Sequence, residues 1–90
     1  MAMRISEMRN LGPQMEAWLA EIDIEDDEDL RRVGAPDAWR RLRFRFGSEV
    51  TLVALYAMAA ALKGCHWREL SMAERVRLQR AVDAAILKAG

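Results

Sequence analysis

The segment VTLVALYAMAAAL, residues 50–62, constrains the fold more than any other part of the chain. Its apolar residues follow helical spacing, and alanines fill the positions where an exposed helix carries charged side chains. A helix that is apolar on all sides must be buried, so we expect a central helix near 52–63 with other helices packed around it. The segment is shorter than the ~20 apolar residues that a membrane span needs. It therefore predicts the centre of a soluble helical domain.

Apolar residues recur at helical rather than alternating spacing along the rest of the chain, and no convincing strand is present. Pro13 suits the first position of a helix, Asp26 and Ser71 are N-cap residue types, and Gly34 and Gly64 are typical helix ends. The sequence thus predicts an all-α fold, a compact bundle of about five helices in a single domain, residues 1–90. The predicted helices cover residues 13–21, 26–33, 36–46, 52–63 and 71–88, with a short helix or turn at 5–9.

The residues of these helices give three specific expectations. Asp26 should accept a hydrogen bond from the backbone three residues on, while Asp29 reaches back, as in a capping box. Thr51 should act as the N-cap of the central helix. The last helix should bury a stripe that consists of Leu78, Val82, Ala85 and Ile86.

Composition limits the function classes. The chain has 90 residues, with 14 basic residues balanced by 14 acidic ones. This neutrality argues against a strongly basic nucleic-acid binder, because phosphate contacts need a positive surface. Cys65 is the single cysteine of the sequence, so an internal disulfide is excluded. Residues 1–10 lack the apolar core of a secretory signal, and we expect a cytoplasmic protein without a membrane partner.

The stretch NLGPQMEAWLAEIDIEDDEDL, residues 10–30, has the shape of a helix-hairpin-helix unit. In that motif, a turn of pattern glycine-apolar-glycine precedes a helix whose N-terminal N–H groups bind a DNA phosphate. Asn10, Leu11 and Gly12 fill the three positions, and Gln14 stands where a lysine often helps; we call these four residues the Asn10 turn. If the turn binds DNA, Gly12→Val should weaken binding by blocking a positive φ. The alternative is a turn that only sets the angle between two helices.

The whole chain also resembles a known family. The segments NLGP, EDLRRVGA, AWRRL, TLVALYAMAAALKGCHW and REL, the last followed by a capped helix, are similar to the C-terminal domain of the TfoX/Sxy family over residues 8–78. That family regulates natural competence for DNA uptake in bacteria. The resemblance implies an all-helical domain related to helix-hairpin-helix and SAM-like folds, without enzymatic activity. Full-length members of that family carry an N-terminal domain before this one, and this sequence departs from them because it has no room for it. We therefore expect a free-standing copy of the domain.

Charge is segregated along the chain. Residues 21–29 hold seven acids and no base, whereas residues 31–45 hold six arginines and one acid, Asp37. In the predicted helix 36–46, Trp39, Leu42 and Phe46 face one way and Phe44 lies among arginines on the other side. An aromatic ring framed by arginines is typical of a binding hot spot, and it could also stack on a nucleic-acid base. Alternatively, the arginines are merely solvated and Phe44 turns inward near Gly47. The candidate partner or DNA surface, called the Phe44 surface below, consists of Arg40, Arg41, Phe44 and Arg45.

Cys65 and His66 are the remaining residues whose side chains could bind a metal ion or act as a nucleophile and a base. One cysteine and one histidine cannot supply the ligands of a zinc site, and adjacent residues rarely point at each other as a nucleophile and its base. We expect Trp67 to pack on the core and His66 to bond to a helix end. The sequence therefore predicts no catalytic residues, no metal site, no cofactor and no small-molecule substrate.

The function predicted from these features is a non-enzymatic interaction module that regulates transcription through a protein partner. The first alternative is weak DNA binding without sequence preference through the Asn10 turn. The second is a purely structural domain or a homodimer.

Overall fold

The computed structural model describes the backbone of residues 2–89 and the side chains of residues 2–83. Within that range the chain forms five α-helices and no β-strand; the only strand-like pairing there is an isolated bridge between Arg4 and Asp26. The predicted all-α bundle of about five helices is confirmed. The helices are α1 (Pro13–Ala20), α2 (Asp27–Val33), α3 (Ala35–Phe46), α4 (Leu52–Lys63) and α5 (Met72–Ala89), with short 3₁₀ helices at Ile5–Glu7, Gly47–Glu49 and Trp67–Glu69.

Local signals place the ends of α2. The Asp26 carboxylate accepts a hydrogen bond from the Asp29 N–H at 2.8 Å, as its N-cap position predicts. The carboxylate of Asp29 does not return to Asp26, however; it accepts from the N–H of Glu25 at 3.1 Å, one residue further out. Gly34 ends the helix with φ +87°, a conformation that favours glycine. The predicted boundaries are correct, and the capping box is displaced by one residue.

Helix α4 is the central helix that the sequence predicts. Six of its side chains are buried: Leu55, Tyr56, Ala57, Met58, Ala60 and Ala61. Thr51 is the N-cap residue of the helix, as expected, although its side chain makes no capping hydrogen bond. The expectation of burial on all sides is wrong at the first turn, because Val53 is 47% exposed. The first turn therefore lies at the surface, and burial begins one turn later. Gly64 ends the helix in the left-handed conformation, with φ +78°.

Helix α3 packs against α4 and α5 and also touches α1 and α2. Its inner face buries Ala38, Trp39 and Leu42. The Trp39 indole N–H donates to the backbone carbonyl of Thr51 at 2.9 Å, which satisfies the polar end of a buried ring. At the end of the helix, Phe46 stacks on Trp18 of α1 with ring centroids 5.0 Å apart. These contacts fix which side of α3 faces solvent.

The capping box at the start of α5 is confirmed. The Ser71 hydroxyl accepts from the Glu74 N–H at 3.1 Å, and the Glu74 carboxylate accepts from the Ser71 N–H at 3.3 Å. Of the predicted stripe, Val82 is fully buried and Leu78 packs against the core. The side chains of Ala85 and Ile86 lie outside the described residues.

Candidate functional site

The Asn10 turn is built into the core of the molecule. Asn10 has φ +73°, a conformation that asparagine tolerates better than most other residues. Its side-chain amide donates to the carbonyl of Cys65 at 2.9 Å, and its side-chain oxygen accepts from the N–H of Trp67 at 3.1 Å. The neighbouring Leu11 is only 5% exposed. The side chain of Asn10 therefore fastens the turn before α1 to the segment that follows α4.

Gly12 has a different conformation from the one expected. Its φ is −123° and it is the N-cap of α1, in extended backbone that any residue adopts. A Cβ built on it has no neighbour within 4 Å. The expectation that Gly12→Val acts by blocking a positive φ is thus wrong, because the positive φ belongs to Asn10. Gln14 is exposed and lies in the first turn of α1.

A carboxylate already occupies the start of α1. Glu16 accepts from the guanidinium of Arg4 at 3.0 Å and from the N–H of Ser6 at 3.0 Å. These hydrogen bonds lower the pKa of Glu16 from its ordinary 4.5 to about 2. The negative charge suits the positive end of the helix dipole, and it would repel a phosphate approaching the same place.

The ring of Phe44 projects from α3 into solvent. It is 95% exposed, while Phe46, two residues later, packs against the core. The alternative in which Phe44 turns inward near Gly47 is therefore wrong. Phe44 is the most exposed of the large hydrophobic side chains described.

Two arginines of the Phe44 surface are held by contacts within the molecule. Arg40 donates to the carbonyl of Ala81 in α5 at 2.6 Å and forms an ion pair with Asp37. Arg45 forms an ion pair with Glu21 at 2.9 Å and lies over the Phe46 ring, 5.0 Å from its centroid. Both guanidinium groups are thus positioned before any partner arrives.

Arg41 is exposed, and it forms no ion pair with the side chains of residues 2–83. It lies three residues before Phe44, so both occupy the same side of α3. Arg43 instead donates to the carbonyl of Val50 at 3.0 Å and approaches the Trp39 ring. The structure thus separates Arg41, whose charge is available at the surface, from Arg43, which fastens the end of α3.

The Cys65–Trp67 segment has a structural role. The imidazole of His66 accepts from the N–H of Arg68 at 3.1 Å, and the N–H of His66 donates to Glu69 at 2.7 Å. His66 therefore caps the short 3₁₀ helix, in agreement with the expectation that it bonds to a helix end. Trp67 packs against the core, also as expected. Among the described side chains, no cluster of three or more metal-ligating residues is found.

Sequence reasoning did not find an apolar groove of about 470 Å³ between α3, α4 and α5. The residues that form the groove are distant from one another in the sequence, and no local sequence pattern indicates that they lie together in the fold. Apolar side chains line most of the groove, and charged ones complete it. The lining includes Ala35, Leu62, Leu70 and Leu78 together with Lys63, Glu74 and Arg77.

A family model described as the TfoX C-terminal domain matches residues 1–82. The chain belongs to the TfoX C-terminal domain family. The resemblance seen in the sequence is therefore confirmed. This TfoX C-terminal domain is 35% identical over 81 residues to Protein Sxy of Escherichia coli (strain K12), a match that covers 90% of the chain and 38% of that protein. The chain thus spans well under half the length of this relative.

Two solved structures share the fold of this TfoX C-terminal domain, and both come from Listeria monocytogenes. A triclinic crystal form of an uncharacterised protein has a TM-score of 0.83 and 28% identity, covering 90% of this chain and 91% of that one. A tetragonal form of a protein of unknown function has a TM-score of 0.81 and 29% identity, covering 89% and 98%. Both structures therefore share the arrangement of helices described above.

Among the residues that the structure describes, no helix of this TfoX C-terminal domain combines the length and the hydropathy needed to cross a bilayer.

Proposed function

We propose that this TfoX C-terminal domain is a non-enzymatic interaction module that regulates transcription by binding a protein partner at the Phe44 surface. The observation that carries the proposal is the 95% exposure of the Phe44 ring on the outer side of α3. Arg41 lies one helical turn before it on the same side of α3, while Arg40 and Arg45 are held by Ala81 and Glu21.

Energetics make this ring a suitable anchor. Phe44 makes almost no contact within the folded chain, so its hydrophobic surface is available for association. Burying a phenylalanine side chain is worth about 1.5–3 kcal/mol, and aromatic and arginine residues dominate binding energy at protein interfaces. The Phe44 surface thus combines an apolar anchor with the available positive charge of Arg41.

The regulatory part of the proposal is supported by the family. The resemblance implies a role in regulating competence for DNA uptake, and the E. coli relative is Protein Sxy. The present chain corresponds to 38% of that protein. Binding a partner is the part of such a role that a small helical domain can perform with the surface described above.

The proposal is tested by complementation in the source organism. The gene is deleted, and plasmids that encode wild type, Phe44→Ala or Met72→Ala restore it at matched protein levels. RNA sequencing then measures the transcripts that the deletion changes. Met72 is the matched control because it is also a large exposed apolar side chain, 74% exposed, but lies at the start of α5.

We expect wild type and Met72→Ala to restore those transcripts and Phe44→Ala to leave them as in the deletion strain. Full restoration by Phe44→Ala would contradict the assignment of the binding surface. A deletion that changes no transcript would contradict the regulatory role itself.

A further inference from the structure

Building on the proposed function, we infer that the partner is a protein with an apolar pocket for the Phe44 ring and a carboxylate beside it that pairs with Arg41. The inference names the chemistry of the occupant, and it rests on the proposed function for the location of the surface. Three properties of the Phe44 surface lead to it.

The first property is the shape of the ring's surroundings. Phe44 projects from a helix rather than lining a cleft, and 95% of its surface is exposed. A projecting ring is desolvated only if the other molecule supplies the cavity. Anchors of this kind typically fill a well-packed pocket near the centre of an interface. The partner must therefore contribute the concave apolar element.

The second property is the local charge. Asp37 compensates Arg40 and Glu21 compensates Arg45, so these two pairs are close to neutral. Arg41 remains as the single positive charge of the Phe44 surface without an ion-pair partner among the described side chains. A nucleic acid needs several phosphate contacts in succession, and one available arginine does not supply them. One carboxylate, by contrast, matches one arginine.

The third property argues against a symmetric dimer in which two Phe44 surfaces face each other. Such a dimer would place both Arg41 side chains in one interface, and the carboxylates next to this surface, Asp37 and Glu21, are already paired with Arg40 and Arg45. Like charges at an interface are unfavourable, and the two projecting rings would find no pocket in each other. A partner with a carboxylate would attract Arg41 instead of repelling it. A partner with a concave apolar surface would supply the pocket for the Phe44 ring.

The experiment places the photo-crosslinking residue p-benzoylphenylalanine at position 44, in the full chain expressed in the source organism. After irradiation, mass spectrometry identifies both the captured protein and the peptide that carries the adduct. The same probe at position 72 is the control for non-specific capture. Arg41→Glu is then introduced beside the probe, with Arg31→Glu as the matched charge change on α2, where the side chain is also exposed.

We expect a protein adduct from position 44 and none from position 72, on a peptide that contains Asp or Glu. Arg41→Glu should lower the yield at least about 10-fold, while Arg31→Glu leaves it unchanged. Replacing the partner's carboxylate with arginine should restore the yield with Arg41→Glu. Thermal melting of both charge variants confirms that they fold.

The outcomes separate the inference from the proposed function. An adduct at position 44 that survives Arg41→Glu, or that lies on a peptide without a carboxylate, overturns the inference and leaves the protein-binding surface in place. An adduct that nuclease removes, an adduct with a second copy of this chain, or no adduct at position 44 overturns both.

Discussion

The Asn10 turn and the Phe44 surface are both candidate sites, and they differ in what their side chains touch. At the Asn10 turn, the functional groups are used inside the molecule: the amide of Asn10 binds the backbone of Cys65 and Trp67, and Leu11 is buried. At the Phe44 surface, a large apolar ring has no role in the fold and is 95% exposed. The side chains of the Asn10 turn stabilise the fold, whereas the apolar surface of the Phe44 ring is not buried within the chain.

This difference distinguishes residues that stabilise the fold from residues that are available to bind a partner. A non-glycine residue with positive φ carries a conformational cost, and internal hydrogen bonds explain why it persists at Asn10. By contrast, no contact within the chain accounts for the exposed ring of Phe44. Substitutions should therefore divide cleanly, with stability affected at the turn and binding affected at the surface.

The largest expected effect on stability is at Asn10. Asn10→Ala removes the hydrogen bonds to Cys65 and Trp67 and places alanine at φ +73°. We expect a loss of about 2–4 kcal/mol in the free energy of unfolding, measured by urea denaturation.

Asn10→Gly is the matched control for this prediction. It tolerates the positive φ but loses the same hydrogen bonds, so its cost should lie about 1 kcal/mol below that of Asn10→Ala. If the free energy of unfolding changed by less than about 0.5 kcal/mol in both variants, the hydrogen bonds of Asn10 would not be important for stability.

Two glycines should respond differently to alanine. Gly64→Ala forces alanine into φ +78° at the end of α4 and should cost about 1 kcal/mol. Gly12→Ala meets an open space and an ordinary φ of −123°. The lost N-cap preference is offset by reduced freedom of the unfolded chain, so the net change should stay within about 0.5 kcal/mol. Thermal melting of both variants measures the difference, and a larger cost at Gly12 would restore that glycine as a special position.

Low pH should remove a smaller contribution to stability, which comes from the ion pair between Arg4 and Glu16 near the Asn10 turn. The pKa of Glu16 is lowered to about 2, so its ion pair with Arg4 stabilises the fold above the unfolded pKa near 4.5. That contribution falls as pH drops from about 4.5 through about 2. We expect wild type to melt above Glu16→Gln at pH 7 and the difference between the two melting temperatures to shrink below about pH 4.5 and to vanish only below about pH 2. Parallel melting curves at all pH values would contradict the role of this carboxylate.

The smallest effect on stability is expected at the Phe44 surface. Phe44→Ala removes a ring with almost no internal contacts, so the free energy of unfolding should change by less than about 0.5 kcal/mol. Phe46→Ala, which removes the stacking on Trp18, is the partly buried counterpart and should cost about 1.5–3 kcal/mol. Urea denaturation of the pair tests whether the two rings have separate roles.

Much of the fold could be predicted because its signals are local. Asp26, Gly34, Ser71 and Gly64 mark helix ends through their own backbone and side-chain chemistry, and the apolar segment near 52–63 identifies the central helix. The surface position of Val53 could not be read from the same pattern, since exposure depends on which helices cover the first turn of α4.

The candidate sites were predictable to different degrees. Helical spacing brings Arg41 and Phe44 to one side of α3, so the Phe44 surface was visible in the sequence. The hydrogen bonds of Asn10 join residues far apart in the chain, and no local pattern indicates them. The same holds for the contact of Arg40 with Ala81, which fixes an arginine that the sequence presents as solvated.

Photo-crosslinking that compares the two candidate sites tests the division of roles most directly. The probe p-benzoylphenylalanine is placed at Gln14, exposed in the Asn10 turn, or at Phe44, and cells of the source organism are irradiated. The structure predicts a protein adduct from position 44 and none from position 14. A nuclease-sensitive adduct from position 14, with nothing captured at position 44, would contradict it and make the Asn10 turn the binding site.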